Sequence, residues 1–476
     1  MIDRTGAAVS ALVGLVSVLM LWHSTGMLDL WPFASAPHRG EHLIVDITPA
    51  PVTTLHEHYC NSSYPSYETY HPLSPLAKLL QVHVFHRHGD RAPSRNINPE
   101  PIWNECDGIV ETLLLQTSDE DQSGRIPRFT RRMHNPGQGD TRDYRNGMFW
   151  EGNCYAGQLT RKGVEQMRAL GRGLQSVYVD PPNGHSLWID GEKPDIGDVA
   201  IRSTDVWRTI QSAQFLASAM FPSADPLHPV EIEIRPVQVD SLTVSELGCP
   251  RLQEIMKTLK GKGTPYDHYY AAPAKQLASQ FDAILSASGI PLERYFDMLM
   301  CRSCNDKPRP CHPANTSLCI TDSHVQHVMA LASNWMQYEY TSGGSPARIE
   351  AARLRVGPLL KELLDRMQAA THSTSRLSAP RLFLYSGHDT TIGALLYLLQ
   401  AADKRWPGYA ANVAVELWQD GDGRWVRILF NGRPVKALSC DYDRCGWPAF
   451  LEYCKPFLPS DIDRECGSMP VSETRS

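Results

Sequence analysis

The sequence predicts an α/β protein whose mostly parallel sheet is covered by helices on both faces. Short apolar and β-branched runs at 79–85, 199–201 and 381–385 have the length and composition of buried strands. Between and after these runs, apolar residues recur at intervals of three and four, which indicates amphipathic helices. Strands that alternate with helices favour parallel pairing, because a helical crossover returns the chain to the same end of the sheet.

The first 75 of the 476 residues differ in composition from the remainder. Residues 7–28 contain no Asp, Glu, Lys or Arg and are long enough to form a signal-anchor transmembrane helix. Arg4 in the short tail 1–6 predicts a cytoplasmic N-terminus and a lumenal body. Residues 29–75 are rich in proline and are expected to form a lumenal stem. The alternative is a cleaved signal peptide, since a small-residue pattern follows the apolar run.

Residues 76–476 are expected to form one domain with an α/β core at 76–245 and 375–456. The intervening segment, about 246–374, has mostly helical periodicity and is predicted to be a helical cap inserted into the core. A long segment with no sustained period, 95–155, is expected to be an irregular insertion. Two late strands near the C-terminus are predicted to be joined by the turn 420–423.

The twelve cysteines are expected to form disulfides, because both interpretations of the N-terminus deliver the body to an oxidising lumen. Asn61 and Asn315 begin Asn-x-Ser/Thr sequons and are predicted glycosylation sites. A four-thiolate zinc site is the alternative for one group of cysteines, namely Cys301, Cys304, Cys311 and Cys319.

The formal charge of −6 excludes a general nucleic-acid binder, which needs a basic surface. Within the long insertion, however, six arginines stand against two aspartates, and such a patch is able to hold an anionic glycan. A solvated loop with no binding role is the alternative. The arginines of this patch are Arg125, Arg128, Arg131, Arg132, Arg142 and Arg145.

Clusters of Arg, His and Asp follow the three predicted strands. They are 87–91 (Arg-His-Gly-Asp-Arg), 202–205 (Arg-Ser-Thr-Asp) and 387–389 (Gly-His-Asp). Because α/β folds place their sites at the carboxyl ends of parallel strands, the clusters are expected to meet. Guanidinium groups match the oxygens of a phosphate dianion, and a histidine among them is placed to attack phosphorus. A carboxyl beside the anion is able to protonate the leaving oxygen.

These residues resemble the signatures of the histidine acid phosphatase family. Residues 87–93 match its Arg-His-Gly-x-Arg-x-Pro motif, 388–389 match its His-Asp motif, and 157–163 and 201–209 match two intervening patterns in the same order. The resemblance implies that His88 is the nucleophile and that Asp389 is the proton donor. It also implies that four residues bind phosphate, namely Arg87, Arg91, Arg202 and His388. No metal and no cofactor are implied.

The layout of anchor, stem and lumenal body is similar to that of a Golgi member of this family, a type II membrane protein. That resemblance implies a phosphorylated glycan as substrate, in the linkage region between glycosaminoglycan and protein. It further implies glycosyltransferases of the same route as partners and the Golgi membrane as location. Inositol phosphates, lysophospholipids and phosphoproteins remain alternative substrates. A phosphomutase that returns the phosphate to its substrate and a non-catalytic phosphoglycan-binding protein are alternative functions.

Overall fold

The computed structural model describes residues 58–95, 97, 100–107, 150–182, 187–188, 198–222, 230–372, 380–437 and 440–467. The predicted tail (1–6), the predicted anchor (7–28) and the arginine patch within the insertion lie outside these ranges. In the described part of the chain, no helix is long and apolar enough to cross a membrane.

The core is an eight-stranded sheet, in which β10, β8, β7, β1, β6, β2 and β3 lie side by side and β9 pairs with β8. Its strands are β1 (Lys78–Arg87), β2 (Val199–Thr204), β3 (Ile232–Arg235), β6 (Leu382–Gly387), β7 (Asn412–Asp420), β8 (Gly423–Phe430), β9 (Arg433–Pro434) and β10 (Cys445–Gly446). A separate two-stranded hairpin consists of β4 (Cys311–His312) and β5 (Asn315–Cys319).

The sheet is mixed, so the expectation of a mostly parallel sheet is wrong in one half. β1, β6, β2 and β3 pair in parallel, as the helical crossovers predict. β7 instead runs antiparallel to β1, and β8 runs antiparallel to β7. The physical reason for the second pairing is the connection: the predicted tight turn at 420–423 joins β7 directly to β8, and a tight turn permits only antiparallel neighbours. The pairing of β7 with β1 joins segments that are distant in the sequence.

Helices connect and cover the strands. They are α1 (Arg161–Leu174), α2 (Trp207–Met220), α3 (Pro250–Leu259), α4 (Ala272–Leu285), α5 (Leu292–Cys304), α6 (Asp322–Tyr340), α7 (Pro346–Arg355), α8 (Gly357–His372), α9 (Asp389–Leu398), α10 (Trp447–Cys454) and α11 (Ile462–Cys466). α1 packs on α2, and α2 packs on β2 and β6, whereas α8 and α9 pack on β1.

Both faces of β1 are buried. Successive side chains of a strand point to opposite faces, and every residue from 81 to 87 is buried. Val82 and Val84 belong to the main apolar core, while His83 stacks on Phe383 with ring centroids 4.5 Å apart. His83 and His86 are both buried. His83 forms hydrogen bonds with Tyr385 and Gln81, which is typical of a structural histidine. Because helices connect and cover the strands of the sheet, the α/β fold class is confirmed.

The segment expected to be a cap contains α3 to α8 and the hairpin of β4 and β5. Its helices have an apolar core of their own, in which Phe281 of α4, Tyr295 and Met298 of α5 and Val328 of α6 pack together. α5 also carries residues that contact Arg91 in the turn after β1, so this helix supplies one wall of the site described below.

Five disulfides connect the described residues: Cys60–Cys304, Cys106–Cys154, Cys249–Cys466, Cys311–Cys319 and Cys440–Cys445. Cys301 and Cys454 are free and buried. The prediction of disulfides is confirmed for ten of the twelve cysteines and is wrong for Cys301 and Cys454. The alternative of a four-thiolate zinc site is excluded because Cys304, Cys311 and Cys319 are all disulfide-bonded.

The last part of the segment expected to be a stem packs on the body. Tyr59 and Cys60 are buried, Cys60 is tied to α5 by its disulfide, and the Tyr70 hydroxyl donates to Glu416 of β7 over 2.9 Å. The asparagines of the two predicted sequons, Asn61 and Asn315, are both exposed.

Candidate active site

Arg87, the last residue of β1, is completely buried and held on every side. Its Nη1 donates to the Pro407 carbonyl over 2.7 Å, and its Nη2 donates to the Tyr59 hydroxyl over 2.8 Å. The guanidinium also lies over the rings of Tyr59 and Tyr409, 4.8 and 4.4 Å from their centroids. Such contacts fix both the position and the charge of this arginine.

The turn after β1 is locked against the start of α1. A Cβ on Gly89 would lie 2.3 Å from the Gly163 carbonyl oxygen, and a Cβ on Gly163 would lie 2.1 Å from the Asp90 carbonyl oxygen. Thr160 caps α1 by accepting from the Gly163 amide, and its hydroxyl donates to the Asp90 carboxylate over 2.5 Å. These two sequence motifs therefore form one packed unit that sets the position of residues 88–91.

His88 lies in this turn with a defined tautomer. Its Nδ1 is 2.8 Å from the Gly89 carbonyl, which can only accept, so Nδ1 carries the hydrogen and Nε2 keeps its lone pair. Burial is the main cause that holds the pKa of His88 well below its ordinary value, and Arg208, Arg87 and Arg91 add to the shift. His88 is consequently a neutral imidazole with an electron pair on Nε2.

His388 and Asp389 begin α9, at the end of β6. The His388 ring accepts from the Thr391 backbone as a helix cap, and its Nε2 lies 3.1 Å from the Thr204 hydroxyl. The rings of His88 and His388 are 5.8 Å apart. Burial first, and then Arg208, lowers the pKa of His388 to about 3, so this imidazole is neutral and acts as a hydrogen-bond donor rather than as a cation.

The Asp389 carboxylate faces Arg87. Its Oδ2 lies 2.9 Å from Nη2 of Arg87 and accepts from the Trp406 indole over 3.1 Å. Burial favours the protonated acid, but Arg87 and the other neighbouring charges outweigh it and hold the pKa of Asp389 below its ordinary value. The side chain is 18% exposed, so the carboxylate can take up a proton from solvent or from a bound molecule.

Arg91 is held by a carboxylate of α5. Its Nη2 lies 2.7 Å from the Asp297 carboxylate of α5, and Asp297 also accepts from the Ser94 amide over 2.7 Å. The free thiol of Cys301, one turn along α5, lies 3.6 Å from Nη1 of Arg91 and 3.4 Å from the Tyr409 hydroxyl. Sequence reasoning missed Asp297 and Cys301, because no strand end or motif marks them.

The third arginine beside the histidines is Arg208, not Arg202. Arg208 is the second residue of α2. Among the neighbouring charges, that of Arg208 lowers the pKa of both His88 and His388 the most. Burial and the repulsion of Arg91 lower the pKa of Arg208 to about 10, and its Nε has no hydrogen-bond partner among the described residues.

Arg202, which was predicted to bind phosphate, is engaged elsewhere. Its Nη2 lies 2.5 Å from the Asp240 carboxylate, and its Nη1 donates to Glu362 over 2.6 Å. Two carboxylates thus pair with this guanidinium and neutralise its charge. The signal for Arg208 was present in the sequence, since the matched motif continues through Arg208-Thr209.

The structure thus brings together His88, Asp389, Arg87, Arg91 and His388 among the predicted residues, and adds Arg208. Three guanidinium groups around an imidazole lone pair form a site for a phosphate dianion. The nearby carboxyl adds a proton source. Of the described residues, no cluster of His, Cys, Asp or Glu has the arrangement of a metal site.

Known proteins are similar to this chain in sequence or in fold. The chain is 28% identical to the prostatic acid phosphatase of Rattus norvegicus over 339 residues, which cover 65% of this chain and 80% of that protein. It is 26% identical to 2-phosphoxylose phosphatase 1 of Mus musculus over 372 residues, 75% of this chain and 71% of that protein. The phytase of Citrobacter braakii has a similar fold, with a TM-score of 0.51 at 15% identity over 82% of this chain and 99% of that chain.

The model of the histidine phosphatase superfamily (branch 2) matches residues 78–431, from the first residue of β1 to the turn after β8. The match includes every residue of the site except Tyr59. It confirms the predicted phosphomonoesterase of the histidine acid phosphatase type. The chain belongs to the histidine phosphatase superfamily, branch 2.

Proposed function

We propose that the chain hydrolyses phosphomonoesters through a phosphohistidine on His88. The observation that carries this proposal is the buried imidazole of His88, whose Nδ1 is held by the Gly89 carbonyl and whose pKa is held low by burial and by the positive charges of Arg208, Arg87 and Arg91. Positive charge around a bound phosphoryl group stabilises its equatorial oxygens during transfer, and a neutral imidazole is the nucleophilic form of histidine.

Two steps complete the reaction. In the first, Nε2 of His88 bonds to phosphorus while the bond from phosphorus to the ester oxygen breaks, and Asp389 gives its proton to the leaving alkoxide. In the second, water attacks phosphorus, its proton passes to the Asp389 carboxylate, and the bond to His88 breaks to release phosphate. His388 donates a hydrogen bond to the phosphoryl group in both steps.

We further propose that the substrate is a phosphorylated sugar, namely the 2-phosphoxylose of the linkage region between glycosaminoglycan and protein. The support is the likeness over 75% of this chain to a mouse protein whose name states 2-phosphoxylose phosphatase activity. An apolar N-terminal segment, a proline-rich stem and exposed sequons support a type II protein in the Golgi membrane. Glycosyltransferases that extend the same linkage region are the corresponding partners.

The test compares the full chain with its His88→Ala variant. Xylose-phosphorylated linkage tetrasaccharide, inositol hexakisphosphate and a lysophosphatidate are supplied side by side, and free phosphate is measured. We expect release from the tetrasaccharide by the wild type and loss of turnover in the variant. Substrate isomerisation without free phosphate would indicate a phosphomutase, and vanadate binding without any turnover would indicate a binding protein. Preference for another ester would replace the proposed substrate but keep the chemistry.

A further inference from the structure

A second cleft opens at the same edge of the sheet as the candidate active site. It has a volume of about 490 Å³ and is lined by the segments 58–63, 401–408 and 430–436. β7 and β8 lie next to β1 in the sheet, and strand spacing is about 4.8 Å, so the end of β8 lies on the order of 10 Å from the end of β1.

One short segment separates the cleft from the catalytic residues. Trp406 lines the cleft, and its indole donates to the carboxylate of Asp389 over 3.1 Å. Gly408 also lines the cleft, while the carbonyl of Pro407 between them accepts from Arg87. A molecule in the cleft therefore lies across a single stretch of chain from the proposed site of phosphoryl transfer.

The charges along the cleft favour an anion. Among the described residues its lining includes Arg405, Arg433 and Lys436 but one carboxylate, Asp403, which pairs with Arg405. Arg433 and Lys436 are exposed and have no ion-pair partner within the described ranges. His58, which forms a hydrogen bond with Arg405, adds an imidazole to the lining of the cleft.

The wall that carries the two cations without ion pairs is rigid. Asn431 and Gly432 have φ values of 50° and 78°, which form a tight hairpin turn between β8 and β9. A Cβ on Gly432 would lie 2.8 Å from Cα of Pro65, so the turn is packed against the N-terminal segment. Arg433 and Lys436 therefore stand on a fixed support, and less ordering is needed when they bind a ligand.

The remaining lining is that of a sugar-binding site. The amide of Asn431 and the hydroxyls of Ser62 and Ser63 supply hydrogen-bonding groups, and the ring of Trp406 supplies an aromatic surface. We infer that this cleft binds an anionic saccharide unit, one that carries a carboxylate or sulfate, on the same glycan whose phosphate reaches His88. This inference rests on the proposed function, because it assigns the part of the substrate that does not react.

The test uses the double variant Arg433→Ala/Lys436→Ala. With the phosphorylated linkage tetrasaccharide, which contains a uronic acid, we expect KM to rise about tenfold at unchanged kcat, since charged hydrogen bonds to the uronic acid are lost and their exposure limits the contribution of each. With para-nitrophenyl phosphate, kcat/KM should stay within twofold. The matched control is Arg464→Ala/Lys257→Ala, which removes two exposed cations of α11 and α3 that do not line the cleft and have no ion-pair partner within the described ranges.

A second measurement separates this inference from the proposed substrate. An unphosphorylated uronic-acid oligosaccharide should inhibit para-nitrophenyl phosphate hydrolysis by the wild type but about tenfold more weakly in the double variant. Equal inhibition of both proteins, or an unchanged KM for the tetrasaccharide, would overturn the subsite. Failure of the wild type to hydrolyse the tetrasaccharide, with this inhibition intact, would instead overturn the proposed substrate alone.

Asn61 also lines the cleft, so the chain's own glycan is the competing occupant. Trimming with an endoglycosidase that leaves one sugar on Asn61 shortens that glycan without changing any side chain of the cleft. Inhibition by the oligosaccharide that appears only after trimming would show that the attached glycan fills the cleft, and it would overturn the inference. Equal inhibition before and after trimming supports it.

Discussion

Nη2 of Arg87 lies 2.9 Å from Oδ2 of Asp389, so a cation at the end of β1 is ion-paired with the carboxyl that begins α9. A phosphate dianion that binds Arg87 competes for this interaction. Since Arg87 is the largest of the charges that lower the pKa of Asp389, substrate binding moves Asp389 toward its protonated form. The ion pair thus links occupation of the phosphate site to the supply of a proton.

Asp389→Asn should separate substrates by their leaving groups. An alkoxide needs a proton as it leaves and an aryloxide hardly does. We therefore expect kcat/KM to fall about 10²- to 10⁴-fold for alkyl phosphates and less than tenfold for aryl phosphates. The measurement is kcat/KM over a series of leaving groups. An equal loss across the series would contradict the assignment of Asp389 as the proton donor.

Arg208→Ala and Arg202→Ala should fail in different ways. Loss of Arg208 removes a charge beside the phosphoryl group, so kcat/KM and vanadate affinity should fall about 10²- to 10³-fold with little change in Tm. Loss of Arg202 leaves Asp240 buried without its cation, which should cost about 3–5 kcal/mol of stability. Kinetics and thermal unfolding of both variants provide the test. A catalytic defect in an Arg202→Ala protein of unchanged stability would instead support the predicted role of Arg202 in binding phosphate.

The contrast between these arginines shows what could be predicted from the sequence and what could not. Local signals identified β1, β2 and β6 and the polar turns after them, because apolar runs and motifs are read residue by residue. Whether Arg202 or Arg208 reaches the histidines depends on which way β2 directs its side chains and on how α2 begins. The antiparallel pairing of β7 with β1 and the approach of Asp297 are likewise contacts between distant segments, which no local pattern encodes.

The N-terminal boundary of the catalytic body is open to direct test. A chain that begins at residue 57 keeps the bond from Arg87 to Tyr59 and the Cys60–Cys304 disulfide, so it should fold and be active. A chain that begins at residue 76 loses both, and loss of the disulfide alone typically costs about 2–5 kcal/mol. Secretion, Tm and para-nitrophenyl phosphate hydrolysis are compared. Full activity of the shorter chain would show that residues 58–75 are only a spacer.

Acid should destabilise the protein through its buried histidines. Burial lowers the pKa of His86 to about 4, and burial with Arg208 lowers that of His388 to about 3, whereas both titrate near 6.5 when unfolded. Between pH 6.5 and about 4 the unfolded chain therefore binds protons that the native state does not. The free energy of unfolding should fall as pH falls, by about 1.4 kcal/mol per pH unit for each such group.

Thermal unfolding between pH 7 and pH 4 measures this slope. His388→Asn removes one of the groups, so its Tm should depend less steeply on pH than that of the wild type. A variant with the same slope as the wild type would show that His388 does not titrate in this way.

The contact between Gly89 and Gly163 has a consequence for how this site can vary. A side chain on Gly89 would need the space of the Gly163 backbone, and a side chain on Gly163 would need the space of the Asp90 backbone. Backbone atoms cannot rotate aside as a side chain can. A single replacement at either position would force the nucleophile's turn away from the first turn of α1, and the imidazole would move with it. Mutational drift is thus blocked at both glycines at once, although neither of them touches a phosphate.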